Sequence, residues 1–287
     1  MSALIQLMRP HQWLKNGFVF IGLFFGHAWG ELATVQAVVL AALAFCLIAS
    51  AVYVFNDYQD READRLHPRK RLRPLAAGTV SPRAALLLAI TCAAGGLLLA
   101  WLASPLVLLI VLGYGLMNLL YSWRLKQVVI LDVFIIAAGF MLRILAGTVG
   151  VGIPPSSWLL LTGMMVTLFL GFAKRRAELV AMSGGGEGTR KVLQKYSLPT
   201  LDMMIGVCAT GVVVAYSLYT MSPQTIAIHQ TENLIYTVPL VLYGLFRYLH
   251  LTVTAQAGED PARDLMRDPQ MWVTVLLWAG LTLWLLA

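Results

Sequence analysis

One stretch of the chain concentrates oxygen ligands: Asn56-Asp57-Tyr58-Gln59-Asp60-Arg61-Glu62-Ala63-Asp64. If the segment is helical, each residue advances about 100°, so Asp57, Asp60 and Asp64 fall within about 60° of one another. Asn56 lies beside them, and Tyr53 sits one turn back on that face. Carboxylates on one stripe repel each other unless a cation sits among them. Hard oxygen donors of this kind suit Mg²⁺, which takes one or two carboxylates and completes its shell with water and phosphate oxygens. The plain alternative is a solvated helix end in which acids and arginines alternate. Downstream comes His67-Pro68-Arg69-Lys70-Arg71-Leu72-Arg73-Pro74. Such cations neutralise the phosphate charge that a metal leaves over, although they would equally serve membrane topology.

The elements that must position these groups are membrane spans. The chain has 287 residues, of which 59% are hydrophobic and 12% charged, against roughly a quarter charged in soluble proteins. No short apolar run with a small-residue cleavage site marks residues 1–30 as a removable signal. Cys46, Cys92 and Cys208 all lie in apolar runs and read as packing residues. A span needs about 20 mostly apolar residues, and the sequence offers about nine. They are Leu14–Trp29, Val35–Phe55, Arg83–Leu102, Pro105–Tyr121, Val129–Val149, Ser156–Ala173, Leu201–Met221, Leu234–Leu249 and Met271–Ala287. Pro82, Pro105, Pro154-Pro155, Pro199 and Pro223 mark segment ends.

With the N-terminus inside, every Lys and Arg except Arg143 falls on the N-terminal arm or an inner loop, as the positive-inside rule requires. The expectation is therefore one all-α integral-membrane domain over 1–287, with cytoplasmic loops about 56–82, 122–128, 174–199 and 250–270. The net charge of +7 fits an anionic membrane leaflet and no nucleic acid. The segment Ser183–Gly188 reads as a linker. The segment from Glu259 to Pro269 reads as a connector or a cover over the site.

Arg143 lies within an otherwise apolar span, where an unpaired guanidinium costs at least about 2.5–3.5 kcal/mol. Asp132 precedes it on nearly the same face but about 16 Å along the axis, too far to pair. Arg143 must face a polar cavity, an acid on another helix or a bound phosphate. The five histidines are scattered, which argues against a catalytic imidazole.

The Asn-Asp-x-x-Asp-x-x-x-Asp pattern after the second span resembles the first acidic motif of the UbiA superfamily of intramembrane prenyltransferases, and Tyr121-x-x-x-x-Lys126-x-x-x-x-x-Asp132 resembles that family too. The resemblance implies helices around a central cavity open to the cytoplasm, with Mg²⁺ holding a diphosphate. Aromatic prenyltransferases of the family carry a second acidic motif after the sixth span. Here that place reads Lys174-Arg175-Arg176-Ala177-Glu178, one acid among three cations. With Arg9-Pro10-His11-Gln12-Trp13-Leu14-Lys15-Asn16, this is similar to the branch that moves 5-phosphoribose from phosphoribosyl pyrophosphate onto a decaprenyl-type polyprenyl phosphate.

By that resemblance Asn56 and Asp60 bind Mg²⁺ with Asp57 and Asp64 close by, and Asp57, Asp60 and Asp64 are the catalytic candidates. Lys15, Tyr53, Lys126 and Arg143 contact the donor, Tyr121 and Asp132 are further substrate-binding candidates, and Lys70, Lys174 and Arg175 meet the donor or the lipid phosphate. The bilayer is the setting, and a homo-oligomer is compatible with it. The rivals are a family member that prenylates an aromatic ring, for which the wall at 174–178 should be acidic, and a lipid or ion transporter, for which one intramembrane charge makes a poor path.

Overall fold

The structure, a computed structural model, describes residues 3–67, 70–183, 191–254 and 268–286, and all regular structure among them is helical. Arg69, residues 184–188 and residues 259–267 lie outside the described residues, together with the expectations attached to them. The α-helices run α1 (Ala3–Met8), α2 (Ile21–Phe25), α3 (Leu32–Leu66), α4 (Pro82–Ala103), α5 (Pro105–Trp123), α6 (Leu131–Ala146), α7 (Ser157–Ser183), α8 (Leu198–Met221), α9 (Pro223–His229), α10 (Val238–Thr254) and α11 (Pro269–Leu286). Eight helices among the described residues are long and apolar enough to cross a membrane. Two compact units emerge: Met1–Arg124 with Gly139–Pro155, and Leu125–Ala138 with Ser156–Ala287.

Four helix starts share one device. The hydroxyls of Ser81, Ser104, Ser197 and Ser222 accept from the backbone N–H of Ala84, Val107, Thr200 and Thr225. A proline follows in the first turn each time, where its missing N–H costs nothing and its fixed φ suits the helix. Of the prolines expected at segment ends, Pro82, Pro105, Pro199 and Pro223 are thus helix starts, while Pro154-Pro155 lie in the connection before α7. Ser104 ends α4 and caps α5 in the same residue, which makes that connection as tight as the sequence suggests.

In the first unit α3 packs along α4, with Ala41, Ala44, Phe45, Ile48 and Ala49 in the core. A Cβ on Gly96 would meet Ile48 at 2.7 Å and the Ala44 carbonyl oxygen at 3.1 Å, so this small residue allows the helices to approach closely. At 35 residues, α3 is about 52 Å long against a hydrocarbon layer of about 30 Å. Its last third, which carries the acidic stripe, therefore projects beyond the hydrocarbon. The second unit packs α7 against α8 around Leu168, Phe169, Phe172, Leu201 and Ile205.

The structure departs from the sequence reading at the first expected span. Residues 14–29 do not form one helix: Pro10–Phe20 is a 3₁₀ stretch and α2 adds five residues. The reason is a close approach of backbones. Added Cβ atoms on Gly22 and Gly147 would strike the carbonyl oxygens of Gly147 and Val19 respectively. Trp13 Nε1 donates to Ser50 Oγ at 3.0 Å, and Ser50 Oγ donates to the Met8 carbonyl at 2.9 Å, which ties this segment to α3. Residues 56–66, placed on the cytoplasmic side and read as helical where they carry the acidic stripe, continue α3, and α7 likewise runs on past residue 174.

Gly147→Ala should lower stability by about 1–3 kcal/mol, the usual range for overpacking, read as a fall in Tm of the detergent-purified protein. Gly113→Ala in α5, which meets nothing within 4 Å, should be neutral or stabilising by up to about 1 kcal/mol. Equal effects at both positions would contradict the close approach.

Candidate active site

The acidic stripe lies on one face of α3, as its spacing requires. Asp57 and Asp64, two turns apart, are both buried. One nitrogen of Arg73, Nη1, joins them, at 3.1 Å from Asp57 Oδ1 and 2.7 Å from Asp64 Oδ2. Arg9 reaches the same Asp57 oxygen at 2.6 Å, and its guanidinium lies 5.0 Å from the centre of the Tyr53 ring. Arg9 has a left-handed backbone, φ 52°, directly before Pro10. Such a conformation is uncommon for a non-glycine residue and strained, and it is maintained here by the anchored side chain.

Asn56 and Asp60 show a different state. Asn56 Oδ1 is buried with no hydrogen-bond partner, a condition that costs about 1–3 kcal/mol when nothing compensates it. Asp60, one turn further along the same face, is exposed. No group of three His, Cys, Asp or Glu side chains among the described residues is close enough to hold a metal alone. That donor set suits Mg²⁺ in particular, which needs few carboxylates when phosphate oxygens and water supply the rest. The unpartnered amide oxygen beside a free carboxylate fits such an ion.

Arg143 resolves its membrane problem without an acid among the described residues. It donates to Asn16 Oδ1 at 2.7 Å, to the Gly139 carbonyl at 2.7 Å and to the Tyr114 hydroxyl at 2.9 Å. The rings of Tyr114, Phe45 and Phe140 surround it at 4.7, 5.4 and 5.4 Å. Each such contact with a desolvated guanidinium contributes up to about 2 kcal/mol. Of the surroundings foreseen, an acid on another helix is not found among the described residues, and the polar partners present are an amide, a carbonyl and a phenol. Asn16 also donates to Cys46 Sγ at 3.1 Å, so the irregular N-terminal segment supplies the central ligand of this cradle.

In the second unit Asp132 is fully engaged. Its Oδ2 accepts from Arg175 Nε at 2.7 Å and its Oδ1 from the Tyr196 hydroxyl at 2.8 Å. Arg175 also holds Glu178 at 2.6 Å. The Tyr196 oxygen in turn accepts from the Ile130 backbone N–H at 2.6 Å, where Ile130 has φ 69°. Burial, then donation to Asp132, pushes the Tyr196 hydroxyl above the usual tyrosine range, so it remains a donor. Lys15 and Lys174 are exposed; Lys70, Tyr121 and Lys126 are half-buried. The structure thus joins Asp57 with Asp64, and Asp132 with Arg175.

Residues 17–276 match the UbiA prenyltransferase family. The chain belongs to this family. Among its relatives, the decaprenyl-phosphate phosphoribosyltransferase of Mycolicibacterium smegmatis is 32% identical over 97% of this chain and 91% of that protein. The Corynebacterium glutamicum protein of the same name is 33% identical over 96% and 84%. In fold, this UbiA-family chain is similar to a UbiA homolog from Archaeoglobus fulgidus solved bound to GPP and Mg²⁺, with TM-score 0.71, 20% identity and 99% of each chain covered.

Four groups escaped the sequence reading as site residues: Arg9, Arg73, Asn16 and Tyr196. Arg9 opened the N-terminal segment that carries the resemblance and Arg73 stood in the basic run after α3, but neither was given a role in the site. Asn16 was a polar residue inside an expected span, a signal that was legible. Tyr196 lies 64 residues from Asp132, and nothing in that spacing pointed to the pairing.

Asp132→Asn should cost about 3–5 kcal/mol, because it leaves a buried guanidinium short of countercharge. A Tm unchanged within error in detergent would show that this ion pair does not hold the unit together.

Proposed function

We propose that this chain transfers 5-phosphoribose from phosphoribosyl pyrophosphate to a decaprenyl-type polyprenyl phosphate, releasing pyrophosphate, with Mg²⁺. One observation carries the reading beyond the family. Glu178, the one acid at the place where a second metal would need carboxylates, is already paired, like Asp132, with the buried Arg175. A prenyl diphosphate gripped by two metal ions would lack its second acidic wall, whereas a single ion needs only the acidic face of α3. The names of the relatives support the same choice.

Asn56 and Asp60 would hold the ion, with Asp57 and Asp64 beside them. When bound, it draws charge from the departing diphosphate. The chain's own residues do the rest. Arg9, Lys15 and Lys70 neutralise phosphate oxygens of the donor, and Tyr53, Tyr121 and Arg143 orient it. Lys174, exposed on α7, attracts the lipid phosphate. Arg175 and Asp132 position that stretch of α7 through their ion pair.

In the reaction the bond from ribose C1 to the pyrophosphate oxygen breaks as one from C1 to a lipid phosphate oxygen forms. The acceptor is already an anion, so no general base is needed, and the positive charge growing at C1 is favoured near the carboxylates. The distribution of cations supports a cytoplasmic N-terminus and an active site opening to the cytoplasm of a multi-pass inner-membrane protein.

A second reading, prenyl transfer, draws support from the solved relatives bound to GPP and DMAPP. Purified protein in lipid nanodiscs should move label from phosphoribosyl pyrophosphate into a polyprenyl phosphate, only with Mg²⁺. Label moving solely from a prenyl diphosphate to an acceptor would establish the second reading instead. Asp60→Ala should reduce transfer at least about 100-fold while changing stability by less than about 0.5 kcal/mol, since Asp60 is exposed. Full turnover in that variant would remove Asp60 from the site.

A further inference from the structure

Each unit contains a pair of carboxylates bridged by an arginine, but the two bridges differ in access. The Arg175 side chain is 1% exposed, and Asp132 is 0% exposed. The Arg73 and Arg9 side chains are 31% and 25% exposed, while the Asp57 and Asp64 side chains beneath them are 5% exposed. A guanidinium that reaches buried carboxylates from the solvent side can leave by side-chain rotation. One enclosed on all sides cannot.

We propose that Arg73 and Arg9 are resident counter-cations of the donor site, exchanged for a divalent cation when a diphosphate arrives. This rests on the reading of α3 as the face that takes the metal and diphosphate. The charges argue for it. Asp57 and Asp64 carry two negative charges, and Arg9 and Arg73 carry two positive ones, so the four groups balance.

A divalent cation entering alone must push two guanidiniums away from their partners and leave an excess of positive charge. A diphosphate entering alone meets two carboxylates. When both enter, the cation sits on the face that Asn56 and Asp60 share with Asp57 and Asp64, its charge answers those two carboxylates, and the freed guanidiniums take diphosphate oxygens, a pairing suited to their forked donors. Every charge then has a partner. Arg73 becomes a residue that positions the diphosphate, and Arg9 keeps its contact with Tyr53. Cation and diphosphate reinforce each other's binding, by an amount that is reciprocal. The Asp132–Glu178 pair, with its bridge sealed in, accepts no cation.

The test is Mn²⁺ binding to the full-length protein in detergent, followed by loss of the EPR signal of the free aquo ion, with and without pyrophosphate. Mn²⁺ shares the preference for oxygen ligands. In the unaltered protein Mn²⁺ alone should bind weakly, and pyrophosphate should tighten it. Arg73→Gln removes a competing charge, so Mn²⁺ alone should bind about tenfold tighter, while the gain from pyrophosphate shrinks about tenfold. Arg9→Gln, which leaves the Asp57–Asp64 bridge intact, should shift both in the same directions and serves if the first variant does not fold.

If both variants bind Mn²⁺ no more tightly than the unaltered protein, while Asp57→Asn and Asp64→Asn still weaken it, the exchange is refuted and the metal face stands. If Asp57→Asn and Asp64→Asn leave Mn²⁺ binding untouched, the exchange is refuted, and if Asp60→Ala leaves it untouched as well, the metal face falls with it.

Discussion

A charge beside or within a bilayer must be answered locally, because hydrocarbon offers neither water nor mobile ions. This constraint organises the polar interior of the protein. Asp57 and Asp64 share Arg73, Asp132 and Glu178 share Arg175, and Arg143 relies on an amide, a carbonyl, a phenol and three ring faces. The coulombic attraction of such pairs is large at low dielectric, and the cost of desolvating them is comparable. Their geometry is therefore a condition of the fold rather than a surplus of stability.

The backbone serves this arrangement. Proline after a serine cap starts α4, α5, α8 and α9 abruptly, which leaves the helices short connections. The length of α3 carries the acidic stripe out of the hydrocarbon and into contact with the basic segment that follows it. At the N-terminus, regular helix gives way to a 3₁₀ stretch because Gly22 and Gly147 bring backbones together, and this places Asn16 against Arg143. Regularity is lost where a buried cation needs a ligand.

The sequence makes the acidic face of α3 legible, because a period of 3.6 converts spacing directly into angle. The helix boundaries are legible for a similar reason: serine caps and prolines act through neighbouring residues. What stays hidden is set by pairings across long separations. The contacts from Arg143 to Asn16, and from Arg175 to Asp132, join residues 127 and 43 positions apart, and no local pattern announces them. The eight long helices, against about nine expected, trace to the same cause, since hydropathy counted residues 14–29 as apolar but could not register the glycine contact that breaks them. Family membership was legible from the acidic motif and matches the chain over residues 17–276.

The central claim is that oxygen ligands at the C-terminal end of α3 hold a divalent cation together with a diphosphate. Anomalous diffraction from crystals grown with Mn²⁺ and phosphoribosyl pyrophosphate tests it most directly. The account requires a Mn²⁺ peak within about 2–2.5 Å of Asp60 and Asn56 side-chain oxygens, with diphosphate density against it. A peak seated between Asp132 and Glu178, or diphosphate density with no metal near α3, would contradict it.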